Sequence, residues 1–261
     1  MERMKLLTEH QEKVMDRVLA EESAHREHLV VYLSGAHAYG FPSPDSDLDL
    51  KCIHVAPTST LVGLEPPQPT FDRAEIIEGV EIDYTSNELA HALAGVLHGN
   101  GNFLERVLGR TALRAGPLLD EVRPLVKAAT SRRVHRHYRG FARNQIQLLE
   151  KEPTVKKLLY VLRTATTGTH LLRTGELETD LVRLLDDYDL RDAAALVEAK
   201  RAGERTAADP ALLDAWRPRL AGLLDRLDEA WPASVLPIEP DPGAIAALEA
   251  WLVGVRRSRF S

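Results

Sequence analysis

The sequence predicts an α/β (α+β) protein in two parts: an α/β domain over residues 1–114 and a helical domain over residues 115–261. Three observations carry that expectation. Strand-like runs rich in β-branched and aromatic residues occur only in the first part. Glycine and proline punctuate the chain densely between residues 34 and 69. From about residue 117 onward strand signals vanish and apolar residues recur with helical spacing. The boundary falls near residues 110–117.

Residues 8–27 read as a polar amphipathic helix whose apolar side carries Val14 and Val18, with Met15 beside them. "HLVVYL" (28–33) reads as a strand. "SGAHAYG" (34–40) reads as a turn into a short helix that Gly40 ends, and "FPSPDS" (41–46) as a loop, because proline resists both ladder and helix. "DLDLKCIHV" (47–55) is a second strand, and "PTSTLVGLEPPQP" (57–69) a long irregular connection. "AEIIEGVEIDYTS" (74–86) looks like a hairpin turning near Gly79. "NELAHALAGVLHGN" (87–100) is an amphipathic helix stopped at Gly99–Asn100, after which Asn102 and Glu105 have the spacing of a capping box. The remainder is helical segments separated by turn residues, with no internal repeat and no low-complexity tract.

The 261 residues are 44% hydrophobic, enough for a sizeable core. The net charge of −6 means that the whole surface does not advertise nucleic-acid binding, although a local basic patch is compatible with it. The single cysteine, Cys52, excludes an intrachain disulfide and a multi-cysteine zinc site. The charged N-terminus lacks the apolar core and cleavage site of a signal peptide. No run of about 20 apolar residues occurs, so no membrane span is expected and the cytoplasm is the expected setting.

Chemistry concentrates in "LSGAHAYGFPSPDSDLDLKC" (33–52). On a strand, side chains at i and i+2 share a face with Cα atoms roughly 6.5–7 Å apart. Asp47 and Asp49 therefore point one way, and Leu48, Leu50 and Cys52 the other, toward a core. Two carboxylates on one face repel unless water or a cation lies between them, and hard divalent ions such as Mg²⁺ take oxygen ligands. Glu81 and Asp83, sharing a face of the later hairpin strand, are the candidates for a third acid. Two ions held roughly 3.5–4 Å apart by such acids are a device for phosphoryl or nucleotidyl transfer. A bare D-x-D is common, and acids also crowd loops merely because they cap or stay solvated. Here the turn at Ser34–Gly35 adds backbone N–H groups able to cradle an anion, and Gly35 allows close approach to that backbone.

The order of strand, glycine turn, short helix, S-D-x-D strand and later acidic strand resembles the DNA polymerase beta-like nucleotidyltransferase superfamily. Within it, "SGAHAYGFPSPDSDLDL" is similar to the group typified by the RNA-ligase-associated predicted nucleotidyltransferases. "DYTSNELAHALAGVLHGNGNFLERVL", "HYRGFARNQ" and "KKLLYVLRTATTGTHLLRTGEL" extend the resemblance through most of residues 30–180. It implies a small mixed-sheet nucleotidyltransferase domain followed by a helical domain. Asp47 and Asp49 match the paired metal ligands, and Asp83 the third acid, with Glu81 the alternative. The expected cofactor is Mg²⁺ or Mn²⁺, and the expected substrate a nucleoside triphosphate held by Ser34, Gly35, Ala36, His37 and Ser46. The family pattern usually has serine after the turn glycine, where this chain has Ala36; His37 or Ser34 is available as a substitute hydroxyl or donor.

In the helical half, Val155, Leu158, Leu159 and Leu162 form the apolar face of one helix. Lys156, Tyr160, Arg163, Thr167 and His170 follow one flank, which reads equally as a solvated face. The resemblance implies nucleotide contacts from Lys157, Tyr160 and Arg163, so the two arguments select different lysines. "RRVHRHYRGFAR" (132–143) is the most basic segment: a solvated helix face, or a contact for RNA or nucleotide phosphate. Arg132 with His137, and Arg163 with His170, also fit the loose Arg–His spacing of HEPN-type helical ribonucleases. The expectation is a metal-dependent nucleotidyltransferase that moves a nucleoside monophosphate to an acceptor hydroxyl on RNA or protein and releases pyrophosphate. A nucleotide-binding module without transfer activity is the first rival, and a helical ribonuclease or toxin-type protein the second. Neither the base, the acceptor nor the oligomeric state can be read from these residues.

Overall fold

The computed structural model describes residues 7–203 and 206–260. The chain runs α1 (Glu9–Ser23), β1 (Glu27–Leu33), α2 (Gly35–Tyr39), β2 (Leu48–Val55), α3 (Thr58–Leu61), β3 (Thr70–Ile77), β4 (Val80–Glu88), α4 (Leu89–Leu97), α5 (Gly101–Leu108) and β5 (Ala112–Ala115). Helices follow: α6 (Pro117–Ala129), α7 (Val134–Lys151), α8 (Val155–Thr174), α9 (Leu181–Leu184), α10 (Ala193–Arg201), α11 (Pro210–Ala230) and α12 (Pro242–Ser258).

Five strands form one mixed sheet in the order β3-β4-β2-β1-β5. β2 pairs antiparallel with β1 and parallel with β4. The alternation expected of β2 sorts its faces. Leu48, Leu50 and Cys52 join Val31, Leu33, Ile82 and Tyr84 beneath Val14, Val18 and Leu19 of α1. Ile53 and Val55 lie on the opposite face and enter a larger cluster that reaches into the helical half as far as Val255. Asp49 and Lys51 share that second face by the strand period. They lie in the first half of β2, before its continuously buried stretch, beside the turn that follows β1.

Local signals explain most boundaries. Thr8 caps α1 through a capping box with Gln11. The β3–β4 hairpin turns through Glu78 and Gly79, both at positive φ (51° and 83°), a two-residue turn that matches strand twist. Asp180, Asp209 and Asp241 cap α9, α11 and α12.

Three elements depart from the sequence expectation. The irregular connection over 57–69 contains the helical turn α3. Residues 112–115 form an edge strand on β1, too short to show a period of two. The capping box expected from Asn102 and Glu105 is not formed: Asn100 caps α5, its side chain accepting from Asn102 N at 3.0 Å. Glu105 turns inward instead.

That turn organises the helical half. Glu105 Oε1 lies 2.7 Å from Arg163 Nη1 on α8, with both side chains nearly buried (4% and 3% exposed). Tyr138 of α7 donates to the same oxygen at 3.2 Å, and the guanidinium sits 3.7 Å from the Tyr39 ring centroid. Burial works against the charged guanidinium, but Glu105 and the surrounding tyrosines outweigh it and hold the arginine pKa above its ordinary value. α12 then returns to the sheet: Arg256 pairs with Glu88 and Arg259 Nη2 with Glu27 at 2.7 Å. Strand character ends at β5, while the apolar cluster and these pairs cross residue 115. No helix among the described residues is long and apolar enough to cross a membrane.

Removing one member of a buried pair strands the other's charge. Arg163→Met is expected to lower unfolding free energy by about 3–5 kcal/mol. Adding Glu105→Gln should recover a large part of it, as measured by urea titration of both variants.

Candidate active site

Asp49 is the centre of the constellation. Its backbone carbonyl accepts from Ser34 N at 2.8 Å, which ties β2 to the turn that ends β1. Its side chain rests on Gly35: that glycine has φ +63°, and a Cβ there would collide with Asp49 Oδ2. Glycine serves here by letting a carboxylate reach the head of α2, a tighter demand than the turn alone makes. The parallel β2–β4 register sets Asp83 directly beside Asp49. Glu81 lies one strand period further along, exposed and opposite Ile76 of β3. Asp83 rather than Glu81 is therefore the acid adjacent to Asp49. Asp47, half-buried, immediately precedes β2.

The cluster contains a cation that the motif reading did not use. Lys51 Nζ stands 2.7 Å from Asp83 Oδ2 and 3.9 Å from Asp49 Oδ1. Burial pushes the Asp49 carboxyl up to about 6; Lys51 and Lys156 pull it down, while Asp83 and Asp47 add to the rise.

A cavity of about 180 Å³ opens beside Asp49. Tyr32, Ser34, Gly35, Asp49 and Lys51 line it from the sheet and turn, and Tyr39, Asn102, Glu105, Arg106 and Tyr160 from the helices. Tyr160 meets Tyr39 and Phe41 edge-on, with centroids 5.4 and 5.9 Å apart. Ser34 also approaches Tyr39 Oη through its hydroxyl at 3.5 Å. The loop that delivers Asp47 is held from below. Lys200 of α10, fully buried, donates to Ser43 Oγ at 2.8 Å and reaches Ser46 Oγ at 3.4 Å. Ser46 in turn accepts from Ser43 N at 2.9 Å.

The structure thus gathers Ser34, Gly35, Asp49 and Tyr160 at one cavity, with Asp83 beside it and Asp47 adjoining in sequence. Other expectations are corrected. Arg163 is spent on Glu105 and Tyr39 inside the core, so its guanidinium is not offered to a phosphate. Lys157 pairs with Glu152, while Lys156, on the flank that helical periodicity marked as solvated or ligand-facing, is the α8 lysine whose charge acts on Asp49. His37 is buried and lines a different hollow with Thr8, Gln11, Pro42 and Ser43, so it does not supply the donor missing at Ala36, itself buried. Ser46 braces the loop rather than lining the cavity.

The Arg–His pairs are also engaged elsewhere. Arg132 donates to the carbonyls of Leu236 and Ser234 at 2.7 and 2.9 Å, and His137 stacks on Phe141. Lys51, Asn102, Glu105 and Arg106 were not identified as lining residues by motif. Lys51 alone carried a signal, lying two residues after Asp49 on the same face.

Hard carboxylate oxygens beside a buried, electrostatically strained Asp49 fit a divalent cation of the Mg²⁺ or Mn²⁺ type. Among the described residues, however, no three His, Cys, Asp or Glu side chains converge on one ion position. Asp47 and Asp49 are the pair that would hold such an ion, because Asp83 is engaged by Lys51.

A sheet carrying D-x-D after a glycine turn, with Asp83 in register beside Asp49 and a helical half closing the cavity, is the arrangement the resemblance to polymerase beta-like nucleotidyltransferases implies. Residues 7–254 match the RlaP family, the RNA repair pathway DNA polymerase beta family, and the chain belongs to it. A relative is an uncharacterized protein of Methanocaldococcus jannaschii, 30% identical over 178 residues, which are 66% of this chain and 72% of that protein. Among solved structures, a nucleotidyltransferase-like protein from Exiguobacterium sibiricum 255-15 aligns over 96% of this chain and 81% of its own, with 11% identity and a TM-score of 0.34. A likeness at that score carries no weight for fold or mechanism.

The raised Asp49 pKa has a sign that can be measured. The folded state holds the Asp49 proton more tightly than the unfolded chain, so its contribution is most favourable below about 3.8 and is lost as pH rises to about 6. In metal-free buffer above that window, Asp49→Asn is expected to be more stable than the native protein by about 1–3 kcal/mol. The difference should shrink toward zero as pH falls to about 4, as followed by urea midpoints across pH.

Proposed function

We propose that this chain transfers a nucleoside monophosphate from a nucleoside triphosphate to an acceptor hydroxyl, with Mg²⁺ or Mn²⁺ and release of pyrophosphate. The observation that carries this is the Asp49 carboxylate seated on Gly35 at the head of α2, with Asp83 in register beside it. That arrangement puts an anion-binding backbone turn next to acidic ligands, the two halves that a metal–triphosphate requires. A divalent ion held by Asp47 and Asp49 would neutralise triphosphate charge and polarise the α-phosphate. Gly35 and Ala36 would present backbone N–H groups to the outer phosphates, with no side-chain hydroxyl at Ala36. Lys156 would add positive charge from α8, and Tyr160 a ring face at the cavity mouth. Asp83, the more exposed acid, would take the proton from the attacking acceptor hydroxyl. The hydroxyl oxygen bonds to the α-phosphorus, the bond to the bridging oxygen breaks, and pyrophosphate leaves.

RNA is the acceptor best supported. Arg136, Arg139 and Arg143 of α7 line a groove with Trp231, and Arg133 continues the same side. Arg136 and Arg143 are exposed. The short segment between His98 and Asn102 joins the two places, His98 lining the groove and Asn102 the cavity. Arginines beside an aromatic ring suit a single strand, and the family description places its members in RNA repair.

Incubation with each α-labelled triphosphate, Mg²⁺ and pools of RNA and protein acceptors tests this. Label should move to RNA, and Asp47→Asn or Asp49→Asn should reduce transfer at least about a hundredfold. Triphosphate binding without transfer to any acceptor would leave only a nucleotide-binding module. RNA cleavage that survives loss of both aspartates would favour a ribonuclease.

The groove has its own check. Arg136→Ala with Arg143→Ala should weaken RNA binding and flatten the slope of log affinity against log salt by about 1.4, measured by fluorescence anisotropy.

A further inference from the structure

We propose that Lys51 is a built-in cation of the carboxylate cluster, standing where a second divalent ion would bridge Asp49 and Asp83. The site then takes up one divalent ion with its triphosphate rather than two, an inference that rests on the nucleotidyltransferase reading above. Covalent geometry keeps the lysine there. It lies two residues beyond Asp49 on the same face of β2, and the β2–β4 register sets it opposite Thr85, one period from the Asp49–Asp83 pair. Its ammonium is 2.7 Å from Asp83 Oδ2 and 3.9 Å from Asp49 Oδ1. It also reaches the Asp83 carbonyl and Thr85 Oγ1, each at 3.4 Å. Thr85 is oriented in turn, donating to Asp72 Oδ1 at 2.8 Å. The Lys51 side chain is 19% exposed, so the charge sits within the cluster rather than trailing into solvent.

Charge and geometry agree on the count. Lys51 cancels one of the three formal negative charges of Asp47, Asp49 and Asp83, the charge that would otherwise draw in a further cation. A second divalent ion between Asp49 and Asp83 would have to sit within about 4 Å of an ammonium already held by both acids, where like charges repel strongly. Asp47 and Asp49 remain as the divalent pair, and Asp83 is oriented by Lys51 at 2.7 Å while staying about half exposed (52%). Lys51 is thus a positioning residue that substitutes for an ion.

Counting Mn²⁺ by electron paramagnetic resonance, with a non-hydrolysable triphosphate present, reads this directly and needs no turnover. The native protein is expected to bind one Mn²⁺ per chain. Lys51→Met should gain a second, at least roughly tenfold tighter than any second ion on the native chain. Lys51→Arg, which keeps the charge, should stay at one, and this separates loss of charge from a disturbed fold. Two ions of similar affinity on the native protein would overturn the proposal while leaving the nucleotidyltransferase reading intact. A Lys51→Met protein that still binds one ion only, with circular dichroism unchanged, would overturn it equally. No Mn²⁺ bound to the native protein would remove the nucleotidyltransferase reading and this inference together.

Discussion

The close contact between the Asp49 carboxylate and the Gly35 backbone is the constraint around which the site is arranged. It requires glycine twice over: once because φ is positive, and once because any Cβ would occupy the place of an Asp49 oxygen. It also requires β1 and β2 to be held in fixed register, which the Ser34–Asp49 backbone hydrogen bond does at the open end of the pair. Once Asp49 is seated, the parallel β2–β4 pairing places Asp83 and the strand period places Lys51. Three charged groups are brought together by backbone geometry, the two carboxylates each with the Lys51 ammonium as a neighbour of opposite sign.

The helical half does more than cover the sheet. Its buried Arg163–Glu105 pair, roofed by Tyr39 and Tyr138, fixes α8 against α5 and against the short helix that begins at Gly35. That fixes the wall of the cavity opposite Asp49. Lys200, from α10, braces the Ser43–Ser46 loop that delivers Asp47. Buried ionic groups of this kind are weak sources of net stability, but they set which element faces which. Here they couple the position of the loop before Asp47 to helices distant in sequence, and for that reason the candidate site draws on the whole chain and not on its N-terminal part alone.

Stability and chemistry pull against each other at Asp49. Burial beside Asp83 and Asp47 makes its ionised form costly, and the two lysines only partly relieve it. Residue 36 is alanine, so the turn carries no side-chain hydroxyl at that position, and Lys51 is the cation nearest the carboxylates.

Periodicity was enough to read the strands bearing Asp49 and Asp83, the helix at Gly35 and the apolar face of α8, because each depends on residues a few positions apart; Asp47, expected on the same strand as Asp49, stands just before it. Glu105 shows where this stops. Its spacing from Asn102 suits a helix cap, yet it turns inward because an arginine 58 positions later lies across from it. Arg163, His37 and Lys157 look equally polar in sequence, and only packing decides that one is a core ion pair, one faces another hollow and one pairs at the surface. What the sequence by itself determined was which residues share a face and which turn can take positive φ, both local consequences of backbone geometry. Which acid stands beside Asp49, which lysine charge reaches it and which cation lies between the carboxylates were decided by strand register and helix packing, because those distances are set by contacts between segments far apart in the chain.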